Sequence, residues 1–172
     1  MASLILTVVG PDRPGLVSAL SLAVAARGGS WLESRMARLA GQFAGIVRVE
    51  APEALLADLP ALERAGLRIT GQVVGAVEAP AVGGEALVLD VVGNDRPGIV
   101  RDVTGILAGA GVNIEDLTTS VEEASFSGGV LFRATVRLRA PNEAAVEAVR
   151  GGLETLGNEL MVDIRRASEG GG

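Results

Sequence analysis

The stretch of sequence that decides the fold reads VVGNDRPGIV at residues 91–100, and VVGPDRPGLV at residues 8–17 is its near copy. The glycines Gly10 and Gly93 are 93 − 10 = 83 positions apart. In both copies the stretch leads into apolar residues spaced four apart, as they would be on one face of a helix. A repeat of this length indicates two successive domains of one architecture.

Around each copy, the pattern of apolar residues predicts the order strand, helix, strand, strand, helix, strand. In the first half the predicted strands lie near Leu4–Val9, Trp31–Leu39, Phe43–Glu50 and Leu67–Val77, and the predicted helices near Pro14–Ala26 and Pro52–Ala65. In the second half the predicted strands lie near Ala86–Val92, Asn113–Val121, Val130–Arg139 and Leu160–Arg165, and the predicted helices near Pro97–Ala110 and Asn142–Leu156. Pro52 and Pro141 are 141 − 52 = 89 positions apart, so we expect the 89 − 83 = 6 extra residues in a longer hairpin loop at Glu122–Gly129.

This order predicts a fold of the α+β class, in which a ferredoxin-like βαββαβ domain occurs twice. Each domain would have a four-stranded antiparallel sheet with both helices on one face. The predicted domains are residues 1–77 and 86–167, joined by a linker at 78–85 and followed by a disordered tail at 168–172. Because each small domain has open sheet edges and one uncovered face, we expect the two domains to pack side by side.

The composition argues against an enzyme and against a nucleic-acid-binding protein. The chain has no Cys, no His and no Lys, so the commonest nucleophiles, general bases and metal ligands are missing. Its net charge of −6 would repel a phosphate backbone. We therefore expect no catalytic residue, no metal, no cofactor and no direct contact with nucleic acid. No apolar run reaches the roughly 20 residues of a membrane span, so we expect a cytoplasmic protein without membrane contact.

The candidate ligand site is the turn between the first strand and the first helix of the second domain. Proline in a first helical turn sacrifices no hydrogen bond, so Pro97 is expected to start the helix, and Gly98 would let a ligand approach the backbone. Free amides of that turn would bind the carboxylate of an amino acid. Oxygens of Asn94 or Asp95 would bind its ammonium group. Pro11 replaces Asn94 in the first domain, which makes the second domain the better candidate.

A structural interpretation of the same residues stays open. Asp12 and Asp95 can cap the helices while the Pro-Gly pairs shape the turns. Arg13 and Arg96 are expected to face solvent or to pair with nearby acids. Asn113, which follows a glycine at the end of the helix, can equally be a turn residue.

The motif Gly-x-Asp-Arg-Pro-Gly-[Leu/Ile]-Val, with an apolar helix after it and Asn-Ile-Glu-Asp at residues 113–116, resembles ACT domains. Tandem ACT chains of this length, with Ser-Gly-Gly-Val-Leu-Phe at 127–132, resemble the glycine cleavage system transcriptional repressor family. The resemblance implies an effector site at the strand–helix turn and across a domain interface. That site maps onto Asn94, Asp95, Pro97, Gly98, Ile99 and Asn113, with Asp12, Gly15 and Leu16 as counterparts in the first domain.

What the resemblance implies is a non-catalytic regulatory protein that binds a small amino acid, such as glycine or serine. It would control amino-acid metabolism or transcription through a protein partner, a DNA-binding regulator being one candidate, and it would form a homodimer. The alternative function is a ligand-free ACT dimerisation or interaction module in which the turn is only structural. A relative of the ACT-bearing folate deformylases or phosphoserine phosphatases is disfavoured, because the chain has no room for their catalytic domains.

Overall fold

A computed structural model describes residues 1–75, 83–123 and 129–167 of the chain. The chain divides into two compact units, Met1–Pro80 (unit 1) and Ala81–Gly172 (unit 2). Among the described residues, no helix has both the length and the apolar character that crossing a bilayer requires. The predicted domain limits and the side-by-side packing stay predictions, since each unit is described by itself.

Each unit contains four strands and two α-helices within the described residues. Unit 1 consists of β1 (Ala2–Pro11), α1 (Leu16–Ala26), β2 (Ser30–Leu39), β3 (Gln42–Ala51), α2 (Leu55–Leu62) with a short 3-10 turn (Glu63–Ala65), and β4 (Arg68–Val74). Unit 2 consists of β5 (Glu85–Asn94), α3 (Ile99–Gly109), β6 (Asn113–Glu123), β7 (Val130–Ala140), α4 (Glu143–Glu154) and β8 (Leu160–Arg166). Residues 78–82 of the predicted linker, 124–128 of the predicted loop and the tail at 168–172 lie outside the described residues.

The two sheets have the same strand order, β2-β3-β1-β4 in unit 1 and β6-β7-β5-β8 in unit 2. All neighbouring strands are antiparallel. The two crossover helices connect strands that are not adjacent, which is the ferredoxin-like arrangement. The predicted fold class is therefore confirmed, with the βαββαβ order present twice.

The core of each unit lies between its helices and one face of its sheet. The helical stripe of unit 1, Leu16, Leu20 and Val24, is buried, and so is its counterpart in unit 2, Ile99, Val103 and Leu107. Burial of each of these side chains stabilises the fold by about 1.5–3 kcal/mol. Trp31, the single tryptophan of the chain, is half-buried in β2 and packs against the core of unit 1.

The predicted starts of α1 and α3 at the prolines are wrong. Gly15 has φ 92° and Gly98 has φ 88°, and both are left-handed residues immediately ahead of the first helical residue. A right-handed helix cannot include such a residue, so Pro14 and Pro97 belong to the preceding turn. The helices begin two residues later than predicted, and glycine is required at these positions because other residues rarely adopt this conformation.

The second helix of each unit also begins after its proline. In α4 the side chain of Asn142 is the N-cap, and its Oδ1 accepts a hydrogen bond of 2.9 Å from the amide of Ala145. This helix was predicted to include Asn142 and to run to Leu156, but the cap leaves Asn142 outside and the helix ends at Glu154. In α2 the helix begins at Leu55, three residues after the proline from which it was predicted to start.

Candidate functional site

The turn between β5 and α3 is held in place by backbone hydrogen bonds. The amide of Asp95 donates to the carbonyl oxygen of Val130 at 2.7 Å, which fixes the end of β5 against β7. After the left-handed Gly98, the amide of Asp102 donates to the Gly98 carbonyl oxygen at 2.9 Å. The backbone amides ahead of Asp102 have no acceptor within the helix, and no side chain caps them. The start of α3 is therefore a positive pole that can attract an anion.

Asp95 does not cap α3. It lies three residues ahead of the N-cap glycine, too early in the turn to reach the first helical amides. In the part of the chain that the structure describes, its exposed carboxylate makes no hydrogen bond or ion pair. The capping interpretation is therefore wrong for Asp95, and this carboxylate is available to a cationic group.

Arg96 connects the turn to two other elements. Its guanidinium donates 2.7 Å to Glu159 just before β8, 3.0 Å to Asp102 in α3, and 3.2 Å to the carbonyl oxygen of Pro97. Arg101 also binds Asp102, at 2.8 Å and 3.0 Å. Hydrogen bonds from Arg101 and then Arg96 lower the pKa of Asp102, and hydrogen bonds to Asp102 and then Glu159 raise the pKa of Arg96. The predicted pairing of Arg96 with nearby acids is confirmed.

The matching turn of unit 1 has the same backbone but a different set of charges. The amide of Asp12 donates 2.9 Å to Gly41, and its carboxylate pairs with Arg38 at 3.3 Å. No side-chain hydrogen bond caps α1 either, so Asp12 is not a cap. The positions of Asp102 and Glu159 are occupied here by Ala19 and Gly66.

Arg13, the counterpart of Arg96, lies against the Gly66 backbone, where a Cβ would be 1.7 Å from its Nη2 atom. A larger residue at position 66 would therefore displace this guanidinium. The two turns share a shape, but the turn of unit 2 carries two acids that the turn of unit 1 lacks.

The predicted ligand residues of unit 2 contribute in different ways. Asn94, Asp95 and Pro97 are exposed around the turn. Ile99 is 2% exposed, and its side chain belongs to the core, so only its backbone can face a ligand. Leu16 in unit 1 is likewise buried.

Asn113 is not brought to the turn within unit 2. Asn94 at the end of β5 pairs with Leu131, whereas Asn113 at the start of β6 pairs with Arg139. Arg139 pairs in turn with Ala86, near the opposite end of β5. The separation along the strand is about 26 Å, from eight residues at about 3.3 Å each. Because both belong to unit 2, Asn113 and this turn can contact one ligand only if they come from different chains.

Two residues of the site were missed in the sequence. Glu159 is 63 positions from Arg96, so no local pattern connects them. Asp102 could have been found, since acids are favoured in the first turn of a helix and Asp102 is only six residues from Arg96. Within the described residues, no group of three or more acids is placed to hold a metal ion.

Known proteins share both the sequence pattern and this architecture. The ACT domain family matches residues 2–70 and 85–166. A UPF0237 protein of Methanopyrus kandleri is 38% identical over 79 residues, which are 45% of this chain and 80% of the relative. A solved structure of an unknown protein from Galdieria sulphuraria has 32% identity and a TM-score of 0.78, covering 97% of this chain and 99% of that one.

A solved structure of a proposed glycine cleavage system transcriptional repressor has a TM-score of 0.71 and covers 98% of this chain and 98% of its own. Its identity of 16% shows a shared fold and nothing finer. The family match is stronger evidence, because it falls separately on the two units and includes both strand–helix turns. The chain belongs to the ACT domain family and carries the domain twice.

Proposed function

We propose that this chain is a non-catalytic regulatory protein that binds a small amino acid at the β5–α3 turn of unit 2. ACT domain proteins are generally regulatory, and members of the family bind amino-acid effectors. One observation carries the proposal: an uncapped helix start and a carboxylate without a partner among the described residues, that of Asp95, occur together in one exposed turn. An α-amino acid carries the two complementary charges on adjacent atoms.

The chemistry of the two ends of the ligand decides its orientation. The carboxylate would accept hydrogen bonds from the amides at the start of α3, where the helix dipole also favours an anion. The ammonium group would donate to Asp95, and the side-chain amide of Asn94 lies one residue away along the chain. Hydrogen bonds to charged groups are each worth about 1.5–3 kcal/mol, so the pair of contacts gives useful affinity if water is excluded.

Exclusion of water requires a second surface. A helix-terminus interaction in an open turn contributes only about 0.3–1 kcal/mol. We propose that the site is completed at a domain interface, where Asn113 of a second copy of the chain can be added to the turn. This supplies the contact that the geometry within unit 2 cannot make.

The name of the glycine cleavage system neighbour makes glycine the first effector to test, with serine second. Control of amino-acid metabolism or of transcription would then be exerted through a protein partner, because the net charge of −6 disfavours direct contact with DNA. A homodimer is part of this proposal.

Isothermal titration calorimetry with glycine, serine and the remaining amino acids tests the proposal. The wild type is expected to bind one of them, and Asp95→Ala is expected to weaken binding about tenfold or more, as loss of a charged hydrogen bond predicts. Asp12→Ala is the matched control, because Asp12 holds the same place in unit 1 but is already paired with Arg38. Its affinity is expected to equal that of the wild type.

If no amino acid binds to the wild type, the proposed function is wrong. The turn would then be structural, and the chain would be a ligand-free ACT dimerisation or interaction module. Equal losses from Asp95→Ala and Asp12→Ala would instead contradict the assignment of the site to unit 2.

A further inference from the structure

The sheet of unit 1 carries a groove on the face that its own helices leave uncovered. Leu4, Leu6 and Val8 of β1 are buried on the helix side, so the residue between the first two, Ile5, points to the other face. A groove of about 340 Å³ opens around Ile5, and this volume is within the range of small-molecule sites. Its lining consists of two isoleucines, two arginines, a glutamate and a serine, namely Ile5, Ile46, Arg35, Arg48, Glu33 and Ser34.

The register of the strands brings the two arginines close to each other. Arg48 of β3 lies between Ile5 of β1 and Glu33 of β2. Ile46, two residues earlier on β3, lies opposite Arg35 of β2. The two arginines are therefore diagonal neighbours, about 7–8 Å apart at the backbone, a distance that long side chains can bridge. The groove thus combines two cations with two apolar walls.

Arg48 has a donor that no acceptor in the described part of the chain satisfies. Its Nε atom is closed off from solvent and makes no hydrogen bond. Glu33 Oε1 lies 2.8 Å from this atom, so the two side chains form an ion pair, but the N–H group does not meet the geometry of a hydrogen bond. A buried donor without an acceptor is unfavourable, and a bound anion would relieve it.

Arg35 supplies a positive charge that the groove does not balance. Its exposed guanidinium makes no ion pair or hydrogen bond within the described residues. Glu33 is paired with Arg48, so the charges of the lining sum to 2 − 1 = +1. One negative charge would make the groove neutral. The planar guanidinium of arginine matches a carboxylate, which it can bind through two parallel hydrogen bonds.

We propose that this groove binds a small monocarboxylate with a short aliphatic body. The carboxylate accepts hydrogen bonds from Arg35 and from Nε of Arg48, and the body lies against Ile5 and Ile46. Ile46 is 55% exposed, so the ligand removes apolar surface from water. A zwitterionic amino acid fits less well, because it leaves the charge of +1 unbalanced and because Glu33 is already paired.

The same positions of unit 2 do not repeat this combination. Thr118 and Thr135, which lie opposite each other, take the places of Arg35 and Ile46. Thr135 also donates a hydrogen bond of 2.7 Å to Asp90, so an acid lies where an anion would have to bind. The site is therefore assigned to unit 1.

The carboxylate site goes beyond the proposed function and is separate from it. The groove belongs to unit 1, whereas the proposed amino-acid site is a turn of unit 2. Asp95→Ala is therefore expected to leave carboxylate binding unchanged, and either proposal can fail without the other.

A nuclear magnetic resonance titration of the isotope-labelled full chain with isovalerate tests the site. At about pH 6 the carboxylate is ionised, and arginine Nε–H groups give signals of their own. The signals of Arg35 and Arg48 are expected to shift to saturation. Isovaleramide, which has the same body without the charge, is expected to cause no such shift. Valine, which adds an ammonium group, and acetate, which lacks the body, are expected to bind more weakly.

Arg35→Gln is expected to weaken isovalerate binding about tenfold or more, since it removes a charged hydrogen bond. Its side chain is exposed, so the fold of unit 1 is expected to be kept. Arg137→Gln is the matched control, because Arg137 holds the place of Arg48 on the sheet of unit 2. Its dissociation constant is expected to equal that of the wild type.

Three results would overturn the proposal. The first is that isovalerate causes no saturable shift at Arg35 and Arg48. The second is that isovaleramide, valine or acetate binds as tightly as isovalerate. The third is that Arg35→Gln leaves the affinity unchanged, or that Arg137→Gln lowers it as much.

Discussion

At the residue scale, backbone conformation requires glycine at position 98 more than space does. A Cβ there would approach only the end of the flexible Arg101 side chain, at 3.0 Å, but φ is 88°. Because a left-handed residue with a Cβ costs about 1–2 kcal/mol, we expect Gly98→Ala to lower the free energy of unfolding by that amount. Urea denaturation measures the change.

Gly105→Ala is the control for that substitution. Gly105 lies inside α3, and a Cβ there would meet nothing within 4 Å. Alanine favours a helix over glycine by roughly 0.5–1 kcal/mol, so this variant is expected to be more stable than the wild type. Similar losses from both variants would show that the left-handed turn is not the cause.

Also at the residue scale, Asp102 makes the stability of unit 2 depend on pH. Its pKa is lowered in the folded state by Arg101 and Arg96. Its stabilising contribution is therefore complete above the unfolded pKa, about 3.9, and is lost as pH falls toward the lower folded value. We expect Asp102→Asn to reduce stability at neutral pH, and the difference from wild type to shrink as the solution is acidified. Urea denaturation as a function of pH checks this, and a constant difference would contradict it.

At the element scale, α4 begins in a different way from α1 and α3. The Asn142 side chain caps α4, whereas α1 and α3 begin at glycines without a side-chain cap. Loss of an N-cap costs about 1 kcal/mol, so Asn142→Ala is expected to lower the stability of unit 2 by about that much. Thermal denaturation followed by circular dichroism measures it.

Asp95→Ala serves as the comparison for the cap. This aspartate also precedes a helix, but it lies three residues ahead of the N-cap glycine and its side chain binds no helical amide. Its replacement is expected to leave the melting temperature close to that of the wild type. A loss as large as that of Asn142→Ala would mean that Asp95 contributes to the helix after all.

The order of the elements could be predicted from sequence, because apolar residues recur with different periods in strands and helices. The same order also occurs in both halves of the repeat, so each half supports the prediction for the other. The helix starts could not. Proline is common in a first helical turn, and only the backbone angle of the glycine after it shows that Pro14 and Pro97 lie before the helix. Asp12 and Asp95 each lie three residues ahead of the N-cap glycine, which leaves neither of them at the capping position.

At the scale of the whole molecule, the sequence predicted where the candidate turn lies but not which distant residues contact it. The duplicated Asp-Arg-Pro-Gly motif identified the turn in both units, and Arg96 was rightly expected to pair with acids. Its contact with Glu159 depends on the path of the chain through α4 and back to the start of β8. The distant position of Asn113 follows from strand register, which no local pattern of residues encodes.

The position of the only indole has an optical consequence. Trp31 lies in β2 of unit 1, and the chain has no tyrosine. Tryptophan fluorescence therefore arises in unit 1, while unit 2, which carries the candidate turn, contains neither tryptophan nor tyrosine. An emission spectrum that shifts when glycine is added to the wild type, but not when it is added to Asp95→Ala, would show that an event at Asp95 changes the surroundings of Trp31.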